Sequence, residues 1–159
     1  MEWLEKIIDT SLQKMASEYP LRIPGEIPPE MQDKSVEPQN DWNGWKPVNS
    51  PVTDGDIDEL ENRINHAFPK SFRHYLKYKC FYDLKIEDHA VNLFRLLPDK
   101  KLSILESHIL KYCYPELIIG RHYIYFADFH DYGLLCFDAN QPRPDNEYPV
   151  VCIDHENME

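Results

Sequence analysis

Glycine is scarce: five in 159 residues, none arranged as GxGxxG, a phosphate-binding loop or GxSxG. Dinucleotide, phosphate-loop and serine-hydrolase chemistries all need glycines where backbone must approach a ligand or turn sharply, so those readings lose their footing. No HExxH places two imidazoles on one helical face, and no CxxC pair occurs among the four widely spaced cysteines. No apolar run approaches the ~20 residues that cross a bilayer. Glu2, Glu5 and Lys6 interrupt the first residues where a secretory leader would be apolar. Cys80, Cys113, Cys136 and Cys152 are therefore expected as reduced thiols in a soluble cytoplasmic protein, with Cys136 a small buried residue in a strand. Positive charge is also short: 17 Lys plus Arg against 28 Asp plus Glu, a formal charge of −11. That surface repels phosphate backbones and attracts basic protein partners.

What is abundant is apolar and aromatic material, 42% and 13% of the chain, enough for one core. Residues 52–79 carry the clearest pattern. Thr53 or Asp54 can cap a helix, Asp56, Asp58 and Glu59 suit the positive end of its dipole, and Ile57, Leu60, Ile64 and Phe68 form one apolar stripe. Pro69 is expected to stop that helix and open a second, with Phe72, Tyr75, Leu76 and Lys79 on one face. Glu61 is expected to meet a backbone amide or a basic side chain.

Upstream, Trp3, Leu4, Ile7, Ile8, Leu12 and Met15 mark an amphipathic helix in residues 1–19. Residues 20–51 hold seven of the 13 prolines together with Ile23, Ile27, Trp42, Trp45 and Val48. This arm is expected to lie extended, with both tryptophans packed. Downstream, 81–84 reads as a turn or short bridge and 91–96 as a strand with Val91, Leu93 and Arg95 on one face. A third helix is expected from Pro98 to Pro115, turning Leu102, Leu105, Ile109 and Cys113 inward and leaving Tyr112 and Tyr114 partly in the core. Strands are expected at 117–119, 122–127, 133–138 and 148–153, separated by turns at 120–121 and 131–133 and by a polar loop at 141–146. Helices followed by closely spaced strands give an α+β domain with a mostly antiparallel sheet, residues 52–159 forming its body.

Two sets of residues carry a family resemblance. Thr53-x3-Ile57-x2-Leu60-Glu61, then Phe68-Pro69-x2-Phe72-x2-Tyr75-Leu76, resembles the opening of the SUKH superfamily, whose members usually have Leu-Pro in place of Phe68-Pro69. The later segments Gly120-x2-Tyr123-Ile124-x-Phe126-Ala127-Asp128, Gly133-x2-Cys136-Phe137-Asp138 and Pro149-Val150-Val151-x2-Asp154-His155-Glu156 resemble its sheet. The resemblance spans residues 42–156; members commonly continue into a C-terminal helix, whereas this sequence stops at Glu159. It implies a SUKH-like α+β fold. It also implies a non-enzymatic protein-binding module without a cofactor: an immunity protein that neutralises a bacterial toxin, or alternatively a regulator of cell-wall glucan synthesis.

One cluster invites a chemical alternative. Asp128, His130 and Asp131, with Asp138, Asp154 and His155 at neighbouring strand ends, bring together carboxylates and imidazoles of the kind a metal-dependent hydrolase uses. Residues 130 and 131 are adjacent and fit a solvated hairpin better. The residues expected to meet a basic toxin domain are Asp128, His130, Asp131, Tyr132 and Asp138 at one rim of the sheet, with Trp42 and Trp45 of the arm nearby. His66, His74, His89, His108 and His122 are scattered and read as surface or hydrogen-bonded core residues.

Overall fold

The computed structural model describes residues 1–86, 90–112 and 114–154. Thr53 caps α2 (Asp54–Ile64) through a reciprocal box: its Oγ1 accepts from Asp56 N–H (3.2 Å), and its own N–H donates to Asp56 Oδ2 (2.8 Å). The helix ends earlier than its apolar stripe. Asn65 takes a left-handed conformation (φ 58°), which closes the last turn four residues before Pro69. Phe68 is buried in the connection instead, and Pro69 serves as N-cap of α3 (Lys70–Tyr78). Lys79 leaves the helix and begins β4 (Lys79–Cys80), paired antiparallel with β3 (Val48–Asn49).

Glu61 ties this corner together. Its Oε1 accepts from Phe68 N–H (2.7 Å) and its Oε2 from Arg73 (2.6 Å), so it meets both an amide and a base. Arg73 reaches Asp58 (2.8 Å) and Asp54 (3.3 Å) as well. Burial works against its charge, yet the bonds to Asp58 and Glu61 hold its pKa above the ordinary guanidinium value.

Ahead of the corner, α1 (Glu2–Glu18) buries Ile8 and Leu12 while Trp3 and Ile7 stay exposed. The arm is only partly extended. β1 (Arg22–Pro24) pairs antiparallel with β2 (Trp42–Gly44), and a single 3-10 turn at Pro29–Met31 lies between them. Gly44 is obligatory there, because a Cβ would sit 2.5 Å from Val36 Cβ. Trp45 is 2% exposed, as the packing argument requires; Trp42 is 48% exposed and corrects it. Trp42 and Trp45 are three residues apart along an extended stretch, so they point to opposite sides.

Beyond β4, Phe81 bridges Leu96, and β5 (Leu84–Ile86) pairs with β6 (Val91–Leu93), a strand shorter than residues 91–96. The helix expected from Pro98 also starts late: α4 runs Ser103–Leu110, because Lys101 adopts a positive φ (43°) and the chain from Leu97 closes a turn first. Leu102, Leu105 and Ile109 are buried as expected, whereas Tyr112 and Tyr114 are exposed. Cys113, His89, His155 and Glu156 lie outside the described residues. Residues 117–119 form no strand. The Leu117 and Ile118 amides turn back on the Tyr114 carbonyl and the Gly120 amide on that of Pro115, so the segment closes into turns rather than a ladder.

The main sheet has five antiparallel strands in the order β5-β6-β7-β8-β9, with β7 (Tyr123–Phe129), β8 (Gly133–Asp138) and β9 (Val150–Asp154) completing it. Helices cover both faces. Phe72 of α3 meets Phe137 (5.1 Å between ring centres) and Phe126 on one side, while His108 of α4 stacks on Phe94 (3.9 Å) and approaches Tyr125 on the other. One core runs from Ile8, Met31 and Trp45 through the corner to the sheet. The architecture is α+β. Among the described residues, no helix is long and apolar enough to cross a membrane, and Cys80, Cys136 and Cys152 form no disulfide.

Candidate partner-binding surface

The β7–β8 hairpin projects its tip through His130, Asp131 and Tyr132, all exposed. His130 turns the chain with a positive φ (52°), and its N–H donates to Ala90 C=O (2.9 Å), pinning the tip to the start of β6. Rings then stack outward. His130 lies parallel to Tyr132 (6.2 Å, 16°), and Phe129 meets His130 edge-on (4.4 Å). Tyr132 is 46% exposed. Gly133 must follow, since a Cβ there would sit 2.6 Å from Cys152 Sγ on the neighbouring strand. Asp154 pairs across from Gly133, at the same end of the sheet. The tip is thus a short aromatic stack with the Asp131 carboxylate among it, on a backbone fixed from both sides.

Asp128 belongs to a different surface. A bulge between Tyr125 and Ala127 inserts one extra residue, so Tyr125 and Asp128, three apart, face the same side. The Tyr125 hydroxyl donates to the Asp128 carboxylate. Around them, burial lowers the His108 pKa, Asp128 raises it and Arg95 lowers it further. Strict strand alternation hides this group; only the bulge reveals it.

Asp138 is not at the rim. It pairs with Tyr123 at the far end of β8, whose six residues span about 17 Å. There it is buried, accepting from Asn140 N–H (3.0 Å), Asn140 Nδ2 (2.9 Å) and Gln141 Nε2 (2.7 Å). This is turn chemistry. Trp42 lines a shallow hollow with Tyr19 and Pro20 at the C-terminal end of α1, and Trp45 is in the core. Of the seven expected contact residues, the fold unites His130, Asp131 and Tyr132, sets Asp128 beside them on the α4 face, and separates Asp138, Trp42 and Trp45. Among the described residues no group of three or more His, Cys, Asp or Glu is arranged to hold a metal ion.

A second pairing had no signal in sequence. His66, just past α2, and His122, just before β7, approach to 3.1 Å between Nε2 and Nδ1 across 56 positions. Burial, then the neighbouring His122, lowers the His66 pKa.

The family model for the SMI1 / KNR4 family (SUKH-1) matches residues 51–159. The match opens just before the Thr53 cap and covers the corner and the five-stranded sheet, leaving α1 and the β1–β2 arm ahead of it. No curated protein matches the chain.

Proposed function

Since the chain belongs to the SMI1 / KNR4 family (SUKH-1), we propose that it is a non-catalytic protein-binding module whose task is to bind and neutralise a cognate bacterial toxin in the cytoplasm. The observation that carries this reading is the hairpin tip: exposed aromatic rings and an acid on a rigid two-stranded support, in a chain of formal charge −11. Aromatic side chains bury large area at low entropic cost, and an acid beside them matches the basic cleft of a toxin that acts on phosphates. Long-range charge draws the partner in, and the tip then occludes its cleft. No cofactor enters this mechanism. The arm at 20–51 and the helix at 1–19 act with residues 52–159 as one unit, because they share its core.

The test is co-expression with the toxic domain of any large secreted protein found among the neighbouring genes. Wild-type protein restores growth, and Asp131→Lys combined with Tyr132→Ala loses protection while keeping its thermal unfolding midpoint. Loss of neither growth nor protection on changing the tip moves the interface away from it; no rescue by the wild-type chain removes the toxin reading.

A further inference from the structure

The two edges of the five-stranded sheet are unequal. α1 packs along β5 at one edge, whereas β9 has no strand bonded to its outer side among the described residues. The register determines which backbone groups face outward there. Asp138 N–H donates to Pro149 C=O (2.9 Å), and in an antiparallel ladder bonded pairs alternate with unbonded ones. Cys136–Val151 and Leu134–Ile153 are therefore bonded pairs, and the N–H and C=O groups of Val150 and Cys152 point away from β8. Exposed edges normally carry a lysine, a proline, a bulge or a covering element. Residues 150–154 have no lysine or proline, and their register with β8 is unbroken.

The side chains of those two residues add to the exposure. Val150 lies beside Phe137 and Cys152 beside Leu135, on the face that α3 packs against, and both are exposed, Val150 by 54%. On the same face, inward of β9, lies an open trough of 350 Å³ that reaches β8 at Leu135 and Phe137 and extends to Phe72, Ile86, Leu4 and Trp3. Trp3 is 59% exposed at its far wall. Outward amides and uncovered apolar side chains thus share one line.

Charge selects the occupant. A second copy would bring together two chains of formal charge −11, and Asp154 and Asp131 stand at the end of the line nearest the hairpin tip. A basic segment gains where a second copy is repelled. We propose that β9 is a docking edge that accepts an extended segment of a protein partner as a sixth strand, with apolar residues packing beside Val150 and Cys152 and alternating with lysine or arginine. Strand addition gives affinity through backbone bonds to Val150 and Cys152, and the apolar side chains give selectivity. This inference rests on the protein-binding reading above and assigns that partner a second point of contact.

The probe is a short peptide of alternating lysine and valine, added to the full chain while amide hydrogen exchange is followed residue by residue. Exchange at Val150 and Cys152 slows roughly tenfold or more, and Val151 and Ile153, already bonded to β8, change little. A glutamate–valine peptide leaves all four unchanged. Cys152→Pro removes an outward N–H without touching the β8 ladder, and abolishes the effect of the lysine peptide. No slowing at Val150 and Cys152 in the wild-type chain overturns the proposal, a measurement that does not depend on the proline variant folding. Equal slowing by the glutamate peptide, or sedimentation showing a dimer that Cys152→Pro dissociates, overturns the basic occupant. Protection by the lysine peptide in a chain that fails to neutralise the toxin upholds the edge and refutes the toxin reading; the reverse pattern refutes the edge alone.

Discussion

Replacing Glu61 with alanine removes the tie between α2 and α3, and its cost follows from the bonds it makes. The side chain is 15% exposed and accepts from the Phe68 amide at 2.7 Å and from Arg73 at 2.6 Å. Truncation leaves the part-buried Phe68 N–H without its acceptor, at about 1–3 kcal/mol. Arg73 keeps Asp58 (2.8 Å) and Asp54 (3.3 Å), so its loss stays well below the 3–5 kcal/mol of breaking an isolated buried pair and adds about 1 kcal/mol. Glu61→Ala should therefore cost roughly 2–4 kcal/mol in all, a large part of a typical domain's stability. Glu61→Gln keeps an oxygen for the Phe68 amide and should lose only about 1 kcal/mol. Urea titrations followed by circular dichroism read both values, with the slope unchanged. A double-mutant cycle with Arg73→Ala should show coupling of about 1 kcal/mol or more. An alanine cost under about 0.5 kcal/mol, or no coupling to Arg73, refutes the reasoning.

Leu60→Ala and Leu76→Ala, at positions 3% and 0% exposed, should each cost roughly 2–5 kcal/mol; unchanged urea midpoints for both contradict the corner's role in the core. A pH titration of stability tests the two shifted histidines. Burial first, with His122 for His66 and Arg95 for His108, holds both below their ordinary 6.5 although Asp128 pulls His108 the other way. The unfolded chain therefore binds protons before the folded one, so stability is whole well above 6.5 and falls as pH drops through 6.5 and then through the lower folded values. His66→Gln with His108→Gln should flatten the urea midpoint across that range, and stability rising on acidification would reverse the sign.

The corner was readable because helix periodicity, the Thr53 cap and the Glu61 position are all local. A misreading there is local too: Asn65 in a left-handed conformation ends α2, an option Pro69 concealed because proline is the more familiar breaker. Strands β7, β8 and β9 announced themselves through apolar runs between turn residues, whereas residues 117–119 looked alike and closed into turns. The candidate surface was less legible for two reasons. Distance along a strand carried Asp138 away from the tip, although both ends of β8 look the same in sequence. The bulge at Phe126 inverted the alternation, joining Asp128 to Tyr125 on the α4 face. The β9 edge depends on strand order, which no pattern in residues 150–154 encodes.

The most direct measurement of the central claim is the association rate between this chain and the toxin domain that the co-expression test identifies, as salt rises from about 0.01 M to about 1 M and the screening length falls from about 30 Å to about 3 Å. The account predicts a steep fall in the association rate for wild type. It also predicts that Asp131→Lys flattens that dependence and Tyr132→Ala speeds dissociation, with both variants folded. A rate indifferent to salt, together with wild-type binding by both variants, would contradict it.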